Sequence, residues 1–181
     1  MLFKIKNKKD KGFSLMEVII SIGIISFAFV GVMAVFASNI RAEMLSRDRI
    51  TAAYLAQEGV EIIKQKRDTN WFIGTDWDNG INSGEQQALS LLEVSPLSLP
   101  SGWALVPANN DNKQIFLVSG VYVQANGAHP ASWEKTKFRR VISIAKPADY
   151  QIKVTATVYF GENDNGKVQV VSYLFNNWYK E

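Results

Sequence analysis

The sequence predicts an α+β chain. One long N-terminal helix, apolar enough in its first half to span a membrane, packs through its second half on a mainly antiparallel sheet of about four strands. Three observations carry this reading. An almost uncharged run follows a lysine-rich start, a proline-free stretch with helical spacing continues it, and the last third alternates apolar with polar residues.

Residues 1–12 form a basic leader, with Lys4, Lys6, Lys8, Lys9 and Lys11 against Asp10 alone. The next 28 residues, Phe13 to Ile40, hold one charged side chain, Glu17. About 20 apolar residues suffice to cross a bilayer, so residues 13–40 can span it even when tilted. Lysines before a span stay in the cytoplasm and direct the residues beyond it outward. Arg41, Arg47 and Arg49 weaken that asymmetry without reversing it.

Residues 41–70 read as the amphipathic half of the same helix. Arg41 to Arg67 contains no proline and sets Leu45, Ala52, Leu55, Ala56, Gly59, Ile62 and Ile63 at three- and four-residue spacing, the pattern of a helix that buries one face. Lys64, Lys66 and Arg67 suit the negative end of a helix dipole, and Asp68-Thr69-Asn70 reads as the stop. Residues 71–113, rich in Gly, Asn, Asp, Ser and Pro with only short apolar runs such as Ala88 to Val94, read as a long irregular connection with room for one short helix.

Residues 114–181 read as the sheet of an exported head, with strands at Gln114–Gln124, Phe138–Ala145, Tyr150–Phe160 and Lys167–Phe175. In the third, Ile152, Val154, Ala156, Val158 and Phe160 alternate with Lys153, Thr155, Thr157 and Tyr159; in the fourth, Val168, Val170, Ser172 and Leu174 form one face. Asn165-Gly166 is a hairpin signal between them. A sheet with one apolar face must bury it, and the amphipathic helix is the partner at hand.

The formal charge of +3 belongs to the leader: without residues 1–12 the chain has 15 basic and 16 acidic side chains, a charge of −1. Such a domain has no general attraction to nucleic acid, which is not expected as a partner. Lys135, Lys137, Arg139 and Arg140 are the densest basic group beyond the leader, but Arg139 and Arg140 fall on opposite faces of a strand and cannot share one phosphate stripe. The absence of cysteine excludes disulfides, a thiol nucleophile and a lipidated cysteine.

No catalytic set is recognisable, since the single histidine, His129, lies beside Pro130 in a loop without a nucleophile or second ligand. Asp76-Trp77-Asp78-Asn79-Gly80 with Glu85 is one residue short of the EF-hand spacing, and Glu162-Asn163-Asp164-Asn165 reads as a solvated turn. Neither metal nor cofactor is expected. Trp71, Trp77, Trp103, Trp133 and Trp178 read as packing residues rather than a ligand platform.

The residues that carry function are Lys11-Gly12-Phe13-Ser14-Leu15-Met16-Glu17-Val18-Ile19. They resemble the processing site of type IV prepilins and type II secretion pseudopilins: a short basic leader, glycine, phenylalanine, small or apolar residues, then glutamate as the fifth residue after the cut. The resemblance implies that prepilin peptidase, a membrane aspartic protease, cuts between Gly12 and Phe13 and methylates the new amine of Phe13. It also implies that Glu17 pairs with that amine on a neighbouring subunit, so that two buried charges are neutralised on assembly. From position alone, Glu17 also fits a purely local electrostatic role at its own helix N-terminus.

A second stretch, Ala53-Tyr54-Leu55-Ala56-Gln57-Glu58-Gly59-Val60-Glu61 with Lys66-Arg67-Asp68-Thr69-Asn70-Trp71, resembles the helix end of minor-pilin-like proteins. Its spacing equally suits any amphipathic helix with a small-residue seam. Major type IVa pilins commonly carry a proline in the span and a disulfide-closed loop, and this chain has neither. The resemblance therefore points to a minor pilin or pseudopilin. Implied partners are prepilin peptidase, other pilin or pseudopilin subunits, an inner-membrane assembly platform and membrane lipid. The implied location is the cytoplasmic membrane, single-pass with the N-terminus cytoplasmic, then the pilus or pseudopilus. The rival is a secreted or membrane-anchored binding domain with an ordinary signal peptide cut after Ala37, for which the apolar region is longer than usual.

Overall fold

The computed structural model describes residues 12, 14–91, 103–107, 113–124, 130–161 and 164–176, with the side chains of 85–91 and 103–107 excluded. Its single described helix, α1, runs from Leu15 to Phe72. The chain divides into two compact units, Met1–Leu45 and Ser46–Glu181. In the first, the described residues are Gly12, Ser14 and α1 from Leu15 to Leu45.

The second unit sets the rest of α1 against a seven-stranded antiparallel sheet. Its strands are β1 (Gly84–Leu91), β2 (Trp103–Pro107), β3 (Gln114–Val118), β4 (Val121–Gln124), β5 (Glu134–Ala148), β6 (Gln151–Phe160) and β7 (Gly166–Phe175). The long β5 organises the sheet. One of its edges carries β6 and then β7, in unbroken register from Gln151↔Phe175 to Phe160↔Gly166. The other edge carries β3 near its start and β1 further along, with β4 beside β3 and β2 beside β1.

The α+β class and the helix-on-sheet packing agree with the sequence reading, while the strand count does not. The expected strand 114–124 is a hairpin, because Ser119 (φ 49°) and Gly120 (φ 83°) turn the chain back through the left-handed region. The stretch expected to be irregular contains β1 and β2. Short apolar runs suit either state, and here the edge of β5 supplies a partner that local composition does not reveal. Asn165-Gly166 does mark a hairpin, but Gly166 is already in β7 opposite Phe160. A Cβ at Gly166 would meet the Phe160 ring at 2.5 Å, so glycine is needed for that ring to lie across the strand.

The core lies between the second half of α1 and one face of the sheet. Ala52, Leu55, Ala56, Val60, Ile62 and Ile63 meet Ile142, Ile144, Ile152, Val154, Ala156, Val158 and Phe160. The side chains of β6 alternate without exception between buried and half-buried, as the sequence indicates. Small residues bring the helix close: a Cβ on Gly59 would stand 3.1 Å from Ile142 Cδ1 and 3.3 Å from Arg140 Cδ. Leu45, expected on this face, is exposed, and the buried stripe begins at Ala52.

The helix stops later than Asp68-Thr69-Asn70. Gly74 (φ 75°) ends it, with its N–H donating to Trp71 O (3.1 Å) and the Thr75 N–H to Asn70 O (3.0 Å). These two bonds form a Schellman cap, which satisfies carbonyls that the helix leaves open. Asn70 lies inside the helix and is buried; its amide Nδ2 donates to Trp77 O (3.1 Å) and Asn79 O (2.8 Å), fastening the following loop.

Candidate processing and assembly site

Helix α1 begins immediately after Ser14. The Ser14 carbonyl accepts from the N–H groups of Glu17 (3.0 Å) and Val18 (3.2 Å), the first bonds of the helix. Gly12 is non-helical and exposed, and a Cβ built on it would meet nothing within 4 Å. No packing within the described protein therefore requires glycine there. Phe13, the residue expected on the other side of the cut, lies outside the described residues, as do residues 1–11 of the leader. Glu17 sits in the first helical turn, where the helix dipole favours an anion.

From Leu15 onward the apolar side chains of the first unit face outward all round: Leu15, Phe27, Phe29 and Val30 each keep more than 60% of their surface. Among the described residues this is the one helix long and apolar enough to cross a membrane. Its hydroxyls are already spent. Ser21 donates to Glu17 O (2.7 Å), Ser26 to Ile22 O (2.7 Å) and Ser38 to Val35 O (2.8 Å), so these hydroxyl protons ask nothing of an apolar medium. A Cβ on Gly23 or Gly31 would meet nothing within 4 Å, so neither glycine answers to packing among the described residues.

The family model described as the prokaryotic N-terminal methylation motif matches residues 7–33. This is the type IV prepilin-like signature. No curated protein and no solved structure matches the chain. The signature supports a type IV pilin-like precursor of the kind processed by prepilin peptidase. The apolar helix fits the membrane anchor of such a precursor.

The head of this prepilin-like chain shows where the other residues singled out from sequence reside. Three of its four clustered cations are paired or buried: Lys137 pairs with Asp48 (2.6 Å), Arg139 with Asp164, and Arg140 turns into the core. The loop at Asp76–Gly80 is a structural element, with Trp77 buried and Asp78 paired to Lys146 (2.6 Å). Among the described residues, no group of three or more His, Asp or Glu side chains could hold a metal ion. Glu162, Asn163, His129 and Trp178 lie outside the described residues, as does the side chain of Trp103. Trp71 packs against the main core and Trp133 against Phe116, at 5.9 Å between ring centroids.

Arg140 points to the opposite face from Arg139, as strand alternation indicates, and that face is the core. Its guanidinium donates to Glu58 Oε2 (2.7 Å), Leu55 O (3.0 Å) and Gln124 Oε1 (3.2 Å), while the Gln124 amide donates back to Arg140 O (3.0 Å). Burial pulls its pKa below the usual guanidinium value, against the opposing pull of the Glu58 carboxylate. The cluster ties α1 to β4 and β5 at one point. Arg140→Ala is expected to destabilise the head by about 3–5 kcal/mol, as removal of one partner from a buried ionic network does. Glu58→Ala should cost less, because that carboxylate is partly exposed and water can replace it. Denaturant unfolding of a fragment beginning near Arg41, which holds the whole core, measures both; equal effects would contradict the asymmetry.

Proposed function

We propose that this protein is a minor pilin or pseudopilin: a precursor cut between Gly12 and Phe13 by prepilin peptidase, methylated on the Phe13 amine, and built into a type IV pilus-like or type II secretion filament. The observation that carries the reading is the methylation motif at residues 7–33, whose later part lies in a helix with the side chains of its apolar half exposed. In the membrane, lipid covers those side chains; in the filament, the helices of other pilin or pseudopilin subunits do. Gly12 is then retained for the peptidase, consistent with the empty space around it.

In this reading Glu17 is the assembly residue. A carboxylate within an apolar span costs about 2.5–3.5 kcal/mol at mid-membrane on insertion scales, less near the end. Its pairing with the Phe13 amine of a neighbour neutralises both charges. The leader lysines hold the N-terminus in the cytoplasm and the head is exported, so the chain is single-pass before an inner-membrane assembly platform draws it into the filament.

The decisive measurement is the intact mass of the mature protein from membrane fractions. Loss of residues 1–12 with one added methyl group is expected. A mature chain beginning at Ser38 would instead establish the signal-peptide alternative, in which no span remains. That alternative places its cut after Ala37, inside the continuous helix.

A further inference from the structure

We infer that β7 is a docking edge for a second copy of this chain: its open side pairs antiparallel with β7 of the other copy and joins the two heads into one sheet. This concerns the head alone and does not depend on how the leader is processed. Among the described residues β7 pairs with β6 only. An open strand edge presents a row of main-chain donors and acceptors, and proteins usually blunt it by shortness, proline, bulges or charge. The other outer strands follow that rule: β4 has four residues, and β2 has five and ends in Pro107. β7 is ten residues long without proline, keeps register with β6 at every position, and carries one charge, Lys167 near its start.

The side chains of β7 fit a copy of themselves. Val168, Val170 and Leu174 face the core, so Lys167, Gln169, Val171, Tyr173 and Phe175 share the outward face, where the last three keep 45%, 49% and 40% of their surface. A slip of one residue would set core-facing side chains against outward ones, which leaves registers of one parity. Of these, the register centred on Val171 pairs the five outward residues entirely among themselves: Val171 with Val171, Gln169 with Tyr173, and Lys167 with Phe175. On the other face Val170 meets Ser172 and Val168 meets Leu174. Apolar cross-strand pairs and a cation over an aromatic ring both favour such a ladder. The two Lys167 ammonium groups stand at its opposite ends, roughly 27 Å apart on a rise of about 3.4 Å per residue, well beyond a Debye length of about 8 Å. No like charges are opposed, so the one charge that guards the edge does not guard it against its own copy.

The chain has no cysteine, so in purified protein a single introduced thiol can bridge only to another copy. The test is the rate of disulfide formation under mild oxidation, with the full-length chain in phospholipid vesicles. Residues opposed on paired strands lie about 4.5–5.5 Å apart at Cα, within reach of a disulfide. Val171→Cys is expected to form dimers roughly ten-fold faster than Phe72→Cys, because pairing holds its thiols together. Random collision would favour the opposite order, since Phe72 is 92% exposed and Val171 45%. Gln169→Cys and Tyr173→Cys, mixed in one vesicle, should link to each other and not to their own kind, whose Cα atoms would stand about 14 Å apart. Equal rates for Val171→Cys and Phe72→Cys overturn the inference. Linking of Gln169→Cys to itself as fast as to Tyr173→Cys overturns it too, because this register forbids it. In membranes of the producing cells, an amine–thiol cross-linker on Val171→Cys should give the two-copy product; an adduct with a different protein in its place assigns the edge to that partner and also overturns the inference.

Discussion

Mature protein carrying Glu17→Ala or Glu17→Gln is expected to accumulate in the membrane and to be missing from filaments. Either change removes the one charge of the span, so insertion is equal or slightly easier. Cleavage should survive, because the residues flanking the Gly12–Phe13 bond are intact. Assembly is the step that changes. The positive amine of Phe13 would enter an apolar bundle with no neighbouring anion. An uncompensated buried charge costs about 3–5 kcal/mol, which is a hundredfold or more in an assembly equilibrium.

The local reading of Glu17 predicts far less, since losing a helix-terminal charge interaction costs about 0.3–1 kcal/mol. Comparing processed protein in membranes with protein in sheared filaments, or crosslinked to other subunits, separates the two. Variant protein at the wild-type level in the assembled fraction would remove Glu17 from the assembly role. The glutamine variant sharpens the result, because it preserves size and hydrogen bonding and deletes only the charge.

Gly12→Leu should stop maturation altogether while leaving the protein inserted. The structure offers no internal reason for the effect: Gly12 is exposed, with open space where a Cβ would stand. The span and the lysines that orient it are unchanged, so the uncut precursor should sit in the membrane fraction at its full mass. The obstruction lies in the enzyme, which must close around a backbone that leucine encumbers. Loss of residues 1–12 from this variant at the normal rate would argue strongly against prepilin peptidase as the processing enzyme.

The apolar half of α1, the methylation motif and the alternation of β6 were legible without any structure, because each is a local property. Twenty-eight residues with one charge, a glycine-phenylalanine pair followed by Glu17, and five apolar residues at every second position need no knowledge of what lies across space. The amphipathic face of α1 was legible too, except at Leu45, where the periodic pattern continues but the covering sheet does not.

Other features depended on partners far along the chain. Residues 84–91 became β1 because the edge of β5 was available, against a composition that suggested an irregular connection. Alternation puts Arg140 on the face opposite Arg139, but the partners that meet it there, Glu58, Gln124 and the Leu55 carbonyl, lie far along the chain. Asn70 reads as a helix breaker, yet it is buried and holds the next loop by two amide bonds. Periodicity and hydropathy come from a residue's own chemistry and its near neighbours. Strand pairing and the burial of a charge are settled by which distant groups can satisfy the same hydrogen bonds, and only the folded chain brings those groups together.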